Sequence, residues 1–180
     1  MKTCNSLFVL FAVLAFATAA FAQGPAIGVF FDEAGTQSSA SLNGGVGEIH
    51  TAYVCAVDAE MMVGGASFKL VLDPQILLLT ATYPAGLAIG EISAGVDLGL
   101  TDAIPAFMGG AAVLATLQLT TFDNLLDNAP MTITNHPNYA TPIIADSQAT
   151  LHAADGLTGY LSIPVPAESM TMSQVKVLFQ

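Results

Sequence analysis

The sequence contains no arginine and no tryptophan, and its 180 residues carry only 3 basic side chains against 14 acidic ones. A chain so poor in cations cannot neutralise a run of phosphates, which excludes nucleic acid as a partner. The same deficit excludes adhesion to anionic membrane surfaces. Cysteine is nearly absent too, with only Cys4 and Cys55 present. Charged residues are also few, 9% of the chain against 53% hydrophobic. That balance is far from a disordered composition and predicts a packed domain with a weakly charged surface.

Long apolar runs are missing as well. Leu7 to Phe16 is unbroken but short, lies behind Lys2, and is followed by Ala20-Phe21-Ala22. A positive start, an apolar stretch of this length and an A-x-A site describe a cleavable signal peptide over residues 1–22. Cys4 precedes the apolar run, which argues against a lipoprotein anchor. Cleavage leaves Lys69 and Lys176 as the cations and Cys55 as the sole thiol, so no intramolecular disulfide forms. The neighbours Tyr53, Val54, Ala56 and Val57 point to a buried, inert Cys55, with an intermolecular disulfide as the alternative. Residues 103–122 carry no charge, but Pro105, Gly109, Gly110 and Gln118 read as a turn plus a strand rather than a membrane span.

Turn chemistry recurs along the mature chain at Asp32 to Gly35, Asn43 to Gly47, Gly64-Gly65, Asp73-Pro74, Pro84 to Gly86, Gly109-Gly110, Asp123 to Pro130, Asn135 to Asn138 and Asp155-Gly156. Such punctuation predicts short strands in a sandwich or barrel. The expected strands are Ala26–Phe31, Glu48–Ala56, Ala66–Leu72, Ile76–Tyr83, Glu91–Leu100, Ala112–Thr121, Met131–Thr134, Pro142–Ala145, Ala149–His152 and Leu157–Ile163. In the third, Ala66, Phe68, Leu70 and Leu72 alternate with Ser67, Lys69 and Val71, giving one buried and one wetter face. Helix is expected at most as a turn within 121–128 and as a short C-terminal helix, where Thr171 and Gln174 form a capping box ahead of Val175, Leu178 and Phe179. The domain plan is a signal peptide over 1–22, a β-sandwich over 23–163 and a tail over 164–180.

Catalytic motifs are absent. The nearest approach to a nucleophile elbow, Glu91-Ile92-Ser93-Ala94-Gly95, has Glu91 where the first glycine belongs. No phosphate-cradling glycine loop or zinc-protease motif occurs. His50, His136 and His152 are too widely spaced to form a sequence-local metal site. Glu91 and Asp97 could be nominated as a glycosidase pair, but a sugar cleft needs aromatic platforms and only Tyr53, Tyr83, Tyr139 and Tyr160 could supply tyrosine rings. No cofactor is implied. Structural calcium is left open by Asp32-Glu33, Asp123-Asn124 and Asp127-Asn128, none of which follows a calcium-loop pattern.

Four segments carry a resemblance. Gly47-Glu48-Ile49-His50-Thr51-Ala52-Tyr53-Val54 is similar to an opening G-x-x-V-x-V-x-V strand. The segment from Gly65 to Leu77, through Phe68, Leu70, Asp73 and Pro74, resembles G-x-x-F-x-L-x-Y-D-P-x-x-L, with Leu72 in place of the tyrosine. Gly110 to Thr121 and Asp155-Gly156-Leu157-Thr158-Gly159-Tyr160-Leu161 are similar to a later glycine-led strand and a closing D-G-x-V-x-I strand. Together they resemble the cohesin and carbohydrate-binding-module type of secreted bacterial β-sandwich. The resemblance implies an all-β, immunoglobulin-like or cohesin-like antiparallel sandwich, with jelly-roll topology as a variant, and a non-catalytic role outside the cytoplasm.

The expected function is therefore protein-protein interaction or extracellular surface assembly by a secreted module, with a protein partner or self-association. Carbohydrate binding in a polysaccharide-processing system is the alternative. The expected location is extracellular or at the cell surface, with the periplasm also open, and no membrane span is expected in the mature chain.

Overall fold

A computed structural model of the chain describes residues 24–41, 47–122 and 126–163. The signal peptide expected over 1–22, the helix expected within 164–180 and the pair Asp123-Asn124 lie outside these residues. The described strands are β1 (Ala26–Phe30), β2 (Ser39–Ser41), β3 (His50–Val57), β4 (Met61–Leu72), β5 (Ile76–Thr82), β6 (Gly86–Glu91), β7 (Gly95–Ala106), β8 (Ala112–Thr121), β9 (Leu126–Thr134), β10 (Ile143–Asp146), β11 (Leu151–Ala153), β12 (Asp155–Gly156) and β13 (Thr158–Ile163). No helix occurs among the described residues, and none there is long and apolar enough to cross a membrane.

The strands form two sheets. The smaller runs β12-β1-β3-β8-β5, and the larger runs β11-β10-β4-β9-β13-β2, with β7 on the other side of β4 and β6 beyond it. Pairing is antiparallel except where β12 joins β1 and β2 joins β13 in parallel. The alternation read in β4 sets the layering. Phe68 and Leu70 point inward and are buried with Val96, Met131, Ile133, Ile144 and Leu161 of the same sheet, against Ile27, Val29, Val54, Leu117 and Leu119 of the other. Burying side chains of this size drives the two sheets together, at about 1.5–3 kcal/mol each.

Several expectations need correction. Gly64-Gly65 is not a turn, because β4 runs through it with a register shift between Val63 and Gly65. Glycine stands at 65 because a β-carbon there would collide with the Leu98 carbonyl oxygen, so close backbone approach explains it better than chain reversal. Glu91–Leu100 is not one strand. Ile92–Ala94 form a turn that folds β6 back on β7 in a hairpin. Of the turn of helix expected within 121–128, residues 123–125 lie outside the described residues; on either side Thr121 ends β8 and Leu126 begins β9. From Leu126 onward pairing with β13 makes the chain a strand, with Ile163 opposite Leu126. The short strands β2 and β12 carry no periodic signal that sequence could show.

One interruption shapes the larger sheet. Thr134 of β9 lies opposite Lys69, and Ile143 of β10 lies opposite Ser67, two residues earlier on β4. The eight residues 135–142 between them therefore loop out of a strand line that would otherwise continue.

Candidate functional site

The outward side of the larger sheet follows from register, because directly paired residues in an antiparallel sheet share a face. Ile143, Ser67, Asp97 and Ile89 form one row across β10, β4, β7 and β6. The next row is Leu151, Ala145, Gly65, Gly99 and Leu87. Leu87, Ile89 and Leu151 are 64%, 59% and 58% exposed, and Tyr139 of the 135–142 excursion stands beside them, also exposed. The floor between these side chains is glycine, and a β-carbon on Gly99 would meet nothing within 4 Å. The result is a shallow apolar trough on a sheet face that would normally be polar.

A polar cluster is set into this trough. Ser67 Oγ donates to Asp97 Oδ1 at 2.5 Å, and His136 Nε2 lies 3.8 Å from Asp97 Oδ2. His136 Nδ1 accepts the Asn138 backbone N–H at 3.1 Å, which places the proton of the neutral ring on Nε2, facing the carboxylate. Asn135 Nδ2 donates to the Tyr139 carbonyl at 2.8 Å and closes the excursion on itself. Ser67, Asp97, Tyr139, Ile143, Ala145 and Leu151 line a small depression of about 180 Å³. Sequence reading missed this cluster, because its three polar members lie far apart in the chain and only strand register brings them together.

Serine, aspartate and histidine meet here without forming a nucleophilic triad. Ser67 gives its proton to the carboxylate rather than to the imidazole, so nothing activates its oxygen. Ser93 sits exposed in the β6–β7 turn and, with Glu91, borders a cleft of about 520 Å³ between β5 and that turn. Leucine, alanine and isoleucine dominate the lining, no histidine contributes, and Glu91 is the only ionised carboxylate there, so no Ser-His-Asp arrangement surrounds Ser93. Glu91 pairs with Gly95 and Asp97 with Ile89, so the two carboxylates stand diagonally across the hairpin, and Asp97 is committed to Ser67 and His136.

The other sequence candidates are dispersed. His50 begins β3, His136 lies in the excursion, and His152 on β11 reaches Asp146 Oδ2 at 3.2 Å. No group of three potential metal-ligating His, Cys, Asp or Glu side chains occurs among the described residues. Asp32 spends its carboxylate on Thr36 and Gln37 in its own turn, and those bonds hold it below the usual carboxylate range. Asp127 accepts from Asn128 Nδ2 at 2.9 Å. Tyr53 lies on the outward side of the smaller sheet and Tyr83 lines the β5 cleft, while Tyr139 and Tyr160 belong to the larger sheet's outward side. Cys55 is fully buried beneath the 32–37 loop, with the Gly35 β-carbon position 3.6 Å from its own Cβ. Burial, reinforced by the charges of Asp32 and Glu33, pushes its thiol up to about 12.

No protein-family model and no curated protein matches the sequence. Solved structures do match. The sixth cohesin of scaffoldin B from Acetivibrio cellulolyticus, in complex with a Cel5 dockerin, is 14% identical over 79% of this chain and 100% of its own, with a TM-score of 0.52. The CaCohA2 module of Clostridium acetobutylicum, in complex with CaDoc0917, is 14% identical over 78% of this chain and 99% of its own, with a TM-score of 0.51. The fold is thus that of a cohesin-like β-sandwich.

Proposed function

We propose that this chain is a non-catalytic protein-binding module that works outside the cytoplasm and docks a partner on the outward face of its larger sheet. The observation that carries the reading is the apolar trough over Gly65 and Gly99, walled by Leu87 and Ile89 on one side and by Leu151 and Tyr139 on the other. An outward sheet face normally carries polar side chains, and large apolar ones grouped there are explained by a partner that removes them from water. The dockerin complexes of the two cohesins support the reading by analogy of fold.

Charge complementarity describes the partner's rim. Lys69 is the only lysine among the described residues, while Asp97 remains 43% exposed beside the trough and Glu91 and Asp102 lie exposed on neighbouring strands. A partner that sets an apolar ridge into the trough and cationic side chains around it meets both features. Secretion is supported by the signal-peptide pattern of residues 1–22. Carbohydrate binding would call for stacked rings, and the tyrosines are spread over three surfaces.

Gly99→Phe tests the reading. The added side chain enters open space, so the fold persists while the trough is filled. Bait protein bearing this change should lose partners recovered from the native secretome that wild-type and Gly99→Ala baits retain. Equal recovery by all three would overturn the assignment of the face.

A further inference from the structure

Five strands close the edges of the two sheets among the described residues: β12 and β5 on the smaller, and β11, β2 and β6 on the larger. Four of them are guarded. The strands β12, β11 and β2 span only two or three residues, and β5 carries a register shift between Leu78 and Thr80 that bends it. The remaining edge, β6, is six residues long and exposed throughout, and it pairs with β7 in unbroken register from Gly86 to Glu91. It carries no lysine and no proline. Its single charge, Glu91, stands at its end. An exposed apolar edge in unbroken register, departing from extended backbone at Gly90 with φ +92°, is a template for another strand.

We propose that β6 is a self-association edge, at which two copies of this chain pair their β6 strands antiparallel about a two-fold axis at Ala88. Register selects the axis. To keep the outward faces of both copies on one side, each residue must meet a partner residue of the same parity. Centring on Ala88 sets Leu87 opposite Ile89 of the second copy, Ile89 opposite its Leu87, and Gly86 opposite its Gly90. Two exposed aliphatic pairs then cover each other on the outward face. Centring on Ile89 would instead set Leu87 against Glu91.

Charge placement agrees with this choice. Glu91 falls opposite Ala85 of the second copy, and the two Glu91 residues stand six strand positions apart, about 20 Å. That exceeds the screening length of about 8 Å at physiological salt, so the strand's only charges do not oppose pairing. The interface is isologous and closes at two copies. It joins the two larger sheets into one continuous surface with both troughs on the same side. It stands independently of whether the trough binds any partner.

The test uses the full chain in sedimentation equilibrium across a concentration and salt series, with two variants. Wild type should pass from monomer to dimer with concentration, and more readily as salt screens the net negative charge. Ala88→Cys should form a disulfide-linked dimer under oxidation, because directly opposed residues in an antiparallel pair have Cα atoms about 4.5–5.5 Å apart, within disulfide reach. Thr101→Cys, on β7, should not cross-link. Ile89→Lys should leave the β-sheet spectrum intact and abolish the dimer. A monomer at every concentration and salt would overturn the proposal. So would a dimer that survives Ile89→Lys, or one in which Ala88→Cys fails to cross-link.

Discussion

His136 occupies the space that a side chain on Gly95 would need: a β-carbon on Gly95 would lie 2.5 Å from His136 Cδ2. Gly95 opens β7 with φ +133°, a conformation that L side chains rarely adopt. The glycine thus serves two ends, starting the strand after the β6–β7 turn and giving the 135–142 excursion its seat against Asp97. Gly95→Ala should cost about 1–3 kcal/mol from backbone strain and overpacking together. Denaturant titration measures the loss, and the His136 ring resonances should shift far more than those of His50.

Phe68 is a second point of leverage, on the core side of the same strand. It is fully buried at the centre of β4, and Phe68→Ala should destabilise the domain by about 3–5 kcal/mol. The neighbouring Lys69→Ala, on the outward face, should change stability by less than about 0.5 kcal/mol. Comparable losses for the two would show that the faces of β4 are assigned wrongly.

The alternation in β4 and β8 was legible in the sequence because each repeats apolar residues with period two against a core, and β1 and β5 were legible as short apolar runs bounded by turn residues. The β6–β7 hairpin was hidden because Gly86 to Glu91 lies at an exposed edge, where no buried face imposes alternation. Gly64-Gly65 misled because glycine marks both turns and close strand contacts, and only the position of the Leu98 carbonyl distinguishes them. The Ser67, Asp97 and His136 cluster had no sequence signal. Its members meet through the register of β4 with β7 and through a loop from β9, which are long-range facts of pairing.

Cys55 gives a prediction in alkaline solution. Its folded thiol titrates at about 12 against 9.0 for an ordinary one, so the folded state holds the proton more tightly. The stability linked to it is fully present below pH 9 and is lost as pH rises towards 12. Wild type should therefore lose stability relative to Cys55→Ala across that window. A thiol reagent at neutral pH should modify no cysteine in the folded 24–163 region and should modify Cys55 only after unfolding.

Asp146 gives the opposite sign in acid. Backbone N–H donation from Thr150, then the His152 ring and the Gln148 N–H, hold its carboxyl below 3.8. The turn joining β10 to β11 is therefore firm above that value and loosens as pH falls through the lower folded one. Carboxyl carbon shifts should place the Asp146 midpoint below those of ordinary aspartates. Amide exchange at Leu151 to Ala153 should quicken over the same range, and Asp146→Ala should quicken it at neutral pH.

Site-specific photocross-linking tests the docking face most directly. A benzophenone amino acid at Tyr139, on the trough, is compared with one at Thr51, on the outward face of the smaller sheet. Both chains are irradiated with the native secretome, and adducts are identified by mass. Docking on the larger sheet predicts a discrete protein adduct from position 139 that disappears with Gly99→Phe and has no counterpart from position 51. An adduct from position 51 alone, or one from position 139 indifferent to Gly99→Phe, would contradict it.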